Sequence, residues 1–192
     1  MDLRHTLRRV LLANELGNHA TAAYRFSDPD GPAGRSGYSF GICQFDLRHN
    51  PRAAAILRDA GFLEREIRLL KDQTCTAAEL AQFNARLQAR LDVVDRADEE
   101  EFAAILRHTL QVTASADLHL AGEDVLIHLA DYHNQFHLSF DGKAVRHFKP
   151  FSRPITAVDI YDYKLATAWG QKRPDDVTRR YNNALRICRE AA

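Results

Sequence analysis

Apolar residues recur along this chain mostly at helical spacing, with one short stretch that alternates instead. Leu3, Leu7, Val10 and Leu11 fall on one helix face, and Gly17 with Asn18 supplies a stop. The texture then changes. Tyr24 and Phe26 alternate with Arg25 and Ser27, a breaker-rich loop follows, and Tyr38, Phe40 and Ile42 alternate with Ser39, Gly41 and Cys43. Alternation on both sides of such a loop predicts a β-hairpin.

From Asn50 onward the helical pattern returns. Asn50-Pro51 reads as a cap followed by proline at the first helical position, and Gly61 closes that helix. Thr76 with Glu79 is a capping box, opening a helix with Leu80, Phe83, Leu87, Leu91 and Val94 on one face. Phe102, Ile105, Leu106 and Leu110 mark another helix. Val125, Leu126, Leu129, Tyr132, His133 and Phe136 mark a buried one. Val158, Tyr161, Leu165 and Trp169 mark the next, and Val177, Tyr181, Leu185 and Cys188 the last. The acidic run from Asp98 to Glu101 reads as a solvated helix start, where negative charge suits the dipole. The expected fold is α+β and mainly helical. It forms one domain over residues 1–192, with a hairpin lobe at about 20–46 and a helical lobe at about 50–190.

Composition narrows the class. A chain of 192 residues buries enough surface for a full core without disulfides. Cys43, Cys75 and Cys188 are odd in number and irregular in spacing, which fits synthesis in a reducing compartment. Lys and Arg total 26, as do Asp and Glu, so overall charge points to no nucleic-acid partner. No stretch approaches the roughly 20 apolar residues of a membrane span. The N-terminal apolar run Val10 to Ala13 is too short for a secretion signal. The expectation is a protein made in the cytoplasm without a signal peptide and without membrane insertion.

The candidate chemistry centres on Glu15. It follows Leu11 by four residues, beside the apolar stripe and at the C-terminal end of the first helix. Burial and the negative end of the helix dipole both disfavour its charged form. A carboxyl group kept protonated is what glycosidic cleavage needs in a proton donor. The hairpin can deliver a second group: Asp28 and Asp30 lie in its loop, with Arg35. Ser39 lies on its second strand on the same face as Gly41, and a serine hydroxyl can hold a water molecule. Taken alone, the two aspartates are turn formers.

A glutamate closing the first helix, followed by a hairpin ending in Gly37-Tyr-Ser-Phe-Gly-Ile-Cys-Gln-Phe45, resembles the lysozyme superfamily. Residues 38–42 are similar to the Tyr-Thr-x-Gly-Ile-Gly-type strand of phage lysozymes. Residues 41–45 are similar to the Gly-Leu-x-Gln strand of lytic transglycosylases, and chitosanases share the plan. The resemblance covers residues 10–46, with fainter echoes at 129–136 and 173–183.

It implies a lysozyme-like fold that cleaves the β-1,4 bond of peptidoglycan in the periplasm or cell wall after release or secretion. It implies Glu15 as general acid, Asp30 or Asp28 as the assisting carboxylate, and Ser39 in place of the usual threonine as the water-positioning residue. Tyr24, Arg35, Tyr38, Gln44, Tyr132 and Asn134 are candidate substrate contacts. No cofactor or metal is implied, and the protein is expected to act as a monomer. If neither aspartate assists, Glu15 acts alone and the transglycosylase route is favoured.

Two rival readings stand beside this one. His133 and His137, four residues apart on a helix, have the spacing of zinc ligands, yet Asn134 stands where a metalloprotease carries glutamate. The basic end, with Lys164, Lys172, Arg173, Arg179, Arg180, Arg186 and Arg189, would suit a non-catalytic module: one docking on an anionic polymer such as peptidoglycan or nucleic acid, or a helical interaction module.

Overall fold

The computed structural model describes residues 1–28, 31 and 34–192. Helix α1 spans Leu3–Leu16 and buries Leu7, Val10 and Leu11, the stripe expected from their spacing. The Asp2 carboxylate accepts from the backbone N–H groups of Arg4 and His5, capping the helix start. Gly17 and Asn18 then take left-handed conformations, φ 57° and 67°, and end it.

The hairpin differs from its expectation. Strand β1, Ser39–Phe40, pairs antiparallel with β2, Phe45–Asp46, in the register Ser39 to Asp46 and Phe40 to Phe45. The stretch expected as a first strand holds the end of a 3₁₀ turn, Ala20–Tyr24, and a single bridge from Ser27 to Ser39. The cause is a tight reversal directly after Phe40. Gly41 sits at φ 76° and Gln44 at φ 53°, so Ile42 and Cys43 belong to a turn rather than to a strand.

Helix α2, Pro51–Asp59, starts as expected, with the Asn50 side chain accepting from the Arg52 N–H at 2.9 Å. Helix α3, Glu64–Lys71, follows without a clear sequence signal. Helix α4, Ala77–Ala89, opens on the complete Thr76–Glu79 capping box. The helix expected through Val94 breaks at Arg90, φ −121° and ψ 37°, and α5 then runs unbroken over Leu91–Ser115. The acidic run is therefore mid-helix, and Asp98 is 1% exposed rather than solvated.

After α5 come α6, Glu123–Phe136; α7, Lys143–Phe148; α8, Ala157–Ala166; α9, Ala168–Lys172; and α10, Pro174–Ala191. The structure is thus mostly helical with one small antiparallel sheet, an α+β arrangement. Among the described residues no helix is long and apolar enough to cross a membrane.

The chain divides into two compact units, Glu15–Glu101 and Met1–Asn14 with Phe102–Ala192. The first holds the hairpin together with α2, α3, α4 and the start of α5. Its core is built on aromatic rings. Phe26 meets Tyr38, Phe40 and Phe62 edge-on at 6.2, 5.7 and 6.0 Å, and Phe62 continues to Phe83 at 5.9 Å. Quadrupole-favoured edge contacts of this kind add to the area that the rings bury. They tie a hairpin too short to stand alone to the helices beneath it.

The second unit packs Val112, Val125, Leu129, Tyr132, Phe148 and Ile160 into one core. The same unit also buries a charge. Asp131 on α6 is 3% exposed and accepts from Arg180 at 2.5 Å, Lys164 at 3.3 Å and Asn14 at 3.0 Å. Burial opposes the charged carboxylate. The Arg180 and Lys164 cations and the hydrogen bonds outweigh it and hold Asp131 far below the usual carboxylate range. Lys164 and Arg180, expected on a basic surface, are therefore interior, 5% and 3% exposed. His128 next to them is pushed down to about 4, chiefly by burial, and so adds no third positive charge at neutral pH.

Removing one partner of such a cluster strands the others without a counter-charge. Asp131→Ala is expected to lower unfolding free energy by about 3–5 kcal/mol, read from urea denaturation at pH 7. A loss below about 1 kcal/mol would show that water relaxes into the site and that the cluster is not needed.

Candidate functional site

Glu15 lies half-buried in the last turn of α1, just before the left-handed pair that ends the helix. The turn it belongs to is firmly held. Asn14 donates to Asp131 through Nδ2 and accepts from Asn183 at its own Oδ1, 3.0 Å away. Arg179 donates to the main-chain oxygens of Ala13 and Asn14 at 3.4 and 3.1 Å, occupying carbonyls that a helix end otherwise leaves unpaired.

The second component is the turn at residues 41–44, which belongs to the same unit as Glu15. The Gly41 N–H donates to the Ala23 oxygen at 2.7 Å, fastening the turn to the 3₁₀ segment. Gln44 folds inward: its Nε2 donates to the Gly41 oxygen at 2.8 Å, and its Oε1 accepts from the Ser27 hydroxyl at 3.1 Å. A Cβ on Gly41 would fall 2.8 Å from the Phe45 ring and 3.0 Å from Asp98 Oδ1. The missing side chain thus makes room for protein atoms rather than for a sugar ring.

Asp98 is the residue that sequence reasoning missed. Its Oδ2 accepts from the Ile42 N–H at 2.8 Å and its Oδ1 from the Cys43 N–H at 3.0 Å. Burial pushes its carboxyl up to about 6, against the pull of hydrogen bonds from Cys43 and Ile42, while neighbouring Asp95 adds to the rise. A usable signal was present. Val94, Asp98, Phe102 and Ile105 follow each other at spacings of four, four and three, so Asp98 sits on the apolar stripe of α5.

A folded-state value above the ordinary 3.8 means that this group contributes most to stability below about pH 4. That contribution is lost as pH rises through about 6. The charged form at neutral pH is held at a cost of about 3 kcal/mol.

The Cys43 thiol reports what surrounds the turn. Burial raises it most, followed by the charges of Asp98, Glu101 and Glu15. Glu15 at the end of α1 and the hairpin turn therefore share one electrostatic neighbourhood. Glu101 is paired with Arg52, which also reaches Glu100 at 3.0 Å.

The other expected site residues fall into different surroundings. Ser39 is 4% exposed, its backbone N–H and C=O both bonded to Ser27, and it stands opposite Asp46 in the β-register. Asp28 is half-buried, and its Oδ1 is buried with no hydrogen-bond partner among the described residues. The Tyr38 hydroxyl is raised by burial first, then by Cys75, with Asp28 adding to it, which places Asp28 near that phenol. Asp30 lies outside the described residues. The Tyr24 hydroxyl donates to Asp95 at 2.7 Å, and the exposed Arg35 offers its carbonyl to Arg48 at 3.3 Å. Tyr132 and Asn134 lie on α6 in the other unit. The Tyr132 ring is buried against Phe136 and Tyr163, at 5.3 and 6.0 Å, and burial raises its hydroxyl.

The histidine pair gains a third member. His108, His133 and His137 stack with ring centres 4.4, 5.0 and 5.6 Å apart. His133 Nδ1 accepts from the Leu138 N–H at 3.1 Å, and His108 Nε2 meets the Leu138 oxygen at 2.7 Å. Both rings thus fasten the segment after α6. Among the described residues no group of three or more His, Cys, Asp or Glu side chains is arranged to hold a metal ion.

No family model, curated protein or solved structure matches this chain.

The turn geometry makes a direct prediction. Gly41→Ala combines a strained positive φ with a sub-van-der-Waals contact, and should destabilise by about 1–3 kcal/mol in thermal or urea unfolding. A neutral effect would mean that the turn is looser than the contacts at Gly41 require.

Proposed function

We propose that this chain is a lysozyme-like glycoside hydrolase that cleaves the β-1,4 bond between N-acetylmuramic acid and N-acetylglucosamine in peptidoglycan, with Glu15 as general acid. What supports the reading is that Glu15, at the end of α1, shares one compact unit with the hairpin turn and that its charge helps to raise the Cys43 thiol. A proton donor beside a fixed turn is what protonation of a glycosidic oxygen requires, because geometry must be set before acidity matters.

In this scheme Glu15 donates its proton to the leaving oxygen. Asp28 or Asp30 stabilises the positive charge developing on the sugar or activates water, and Ser39 positions that water. Tyr24, Tyr38, Arg35 and Gln44, which share the unit of Glu15, are the proposed substrate contacts, of which Arg35 is the most exposed. No metal or cofactor enters the scheme. A protein doing this work acts outside the cytoplasm, as a released endolysin or a secreted bacteriolytic toxin does.

One observation favours a second route. Ser39 is 4% exposed, which leaves its hydroxyl little access to an attacking water. In a lytic transglycosylase no water is needed, because the muramic acid 6-hydroxyl closes the ring and Glu15 acts alone.

Purified peptidoglycan incubated with wild type and with Glu15→Gln separates the possibilities, with soluble products read by mass spectrometry. Cleavage by wild type and a loss of about 100-fold or more in the variant are expected. Reducing-end muropeptides identify the hydrolase and anhydro-muropeptides the transglycosylase. Equal release by both proteins removes Glu15 from the chemistry, and no release from either leaves a wall-binding module as the better reading.

A further inference from the structure

We propose that Asp98 is a positioning residue: its charged carboxylate, projecting from the middle of α5, fixes the Gly41–Gln44 turn in the shape that the glycan-cleaving site uses. The catalytic part of this inference rests on the function proposed above. The clamp itself rests on geometry alone.

The contacts define the clamp. Two consecutive backbone N–H groups, those of Ile42 and Cys43, converge on the two oxygens of one carboxylate at 2.8 and 3.0 Å. Consecutive amides converging in this way form a concave anion site, and here the anion is a side chain of the protein itself. Gly41 completes the fit, since a Cβ there would lie 3.0 Å from Asp98 Oδ1. The Cys43 thiol also donates to the carboxylate.

Each contact requires an acceptor. A carboxylate offers two, whereas a carboxylic acid turns one oxygen into a donor facing an N–H. The turn therefore loses one of its two anchors when Asp98 takes up a proton. An apolar residue at this 1%-exposed position would strand the Ile42 and Cys43 N–H groups, whereas the carboxylate satisfies both at the cost of a buried charge.

The surroundings give the charge little help. Asp95, Glu99, Glu100 and Glu101 share helix α5 with it. Tyr24 from the 3₁₀ turn is hydrogen-bonded to Asp95. Cys43 lies in the turn, and Glu15 comes from α1. Arg52 from α2 is engaged by Glu100 and Glu101. The charged form of Asp98 is thus supported mainly by backbone amides, and its protonation is set by how well the turn is formed.

The test uses the intact protein. The ¹³C shift of the Asp98 carboxyl and the amide shifts of Ile42 and Cys43 are followed by NMR from pH 4.5 to 8. All three should move together in one step centred near pH 6. Asp98→Asn, which presents an amide nitrogen to one of the two N–H groups, should abolish the step at Ile42 and Cys43. On peptidoglycan, kcat of the wild type should fall below about pH 6 while KM holds, and Asp98→Asn should flatten that limb and lower kcat at pH 7.5 about 10- to 100-fold.

Amide shifts that ignore the Asp98 titration, or a folded Asp98→Asn with the wild-type pH profile, would overturn the proposal. If Asp98→Asn does not fold, the wild-type carboxyl and amide titrations decide the matter. Cys43→Ala, which removes one donor to the charged form, should then move the step to higher pH, and a downward or absent shift would count against the clamp. If wild type releases nothing from peptidoglycan yet the linked titration persists, the clamp stands and the glycan reading falls.

Discussion

Asp131 carries its charge in the interior because Arg180, Lys164 and Asn14 meet it there. Those partners come from α10, α8 and α1, so one carboxylate draws on four helices of its unit. The consequence for function lies in Asn14. The residue that donates to Asp131 is the one before Glu15, and its carbonyl is held by Arg179. The last turn of α1 is thereby fixed from its side chain and its backbone. Glu15 in its proposed role of proton donor would gain from being held this way, because catalytic geometry tolerates little displacement.

The two buried aspartates are solved in opposite ways. Asp131 is answered by two cations and sits far below the ordinary carboxylate range. Asp98 is answered by backbone N–H groups and a thiol and sits above it, at about 6. The first arrangement stays charged across the physiological range and stabilises structure. The second is poised near neutrality and held at a cost, a condition more common at working sites than in scaffolds. Each aspartate supports one half of the proposed site: the helix end that bears Glu15 and the turn that shares its neighbourhood.

Much of the helical content was legible in the sequence, because local rules decide it. Gly17 and Asn18 end α1, Asn50-Pro51 starts α2, and Thr76 with Glu79 opens α4. The failures lie where tertiary contacts override those rules. The alternation of Tyr38, Phe40 and Ile42 reads as a strand, yet Gly41 and Asp98 together bend the chain after Phe40. The acidic run reads as a solvated helix start because neither the break at Arg90 nor the depth of Asp98 is written in residue type. Lys164 and Arg180 read as surface cations, since their shared partner Asp131 is 33 and 49 residues away in the chain. Of the candidate site, Glu15 and the hairpin stand out in the sequence as a motif, whereas the residue gripping the turn appears only as one polar position on an apolar stripe.

In the proposed function, Glu15 and the 41–44 turn form one site that takes a sugar chain. The most direct measurement is a crystal structure of Glu15→Gln soaked with a peptidoglycan fragment of several sugar units. A glycosidic oxygen is expected within hydrogen-bonding distance of the residue 15 side chain, with the adjoining sugar lying along the hairpin turn. A fragment seated elsewhere on the protein, with residue 15 untouched, would contradict it.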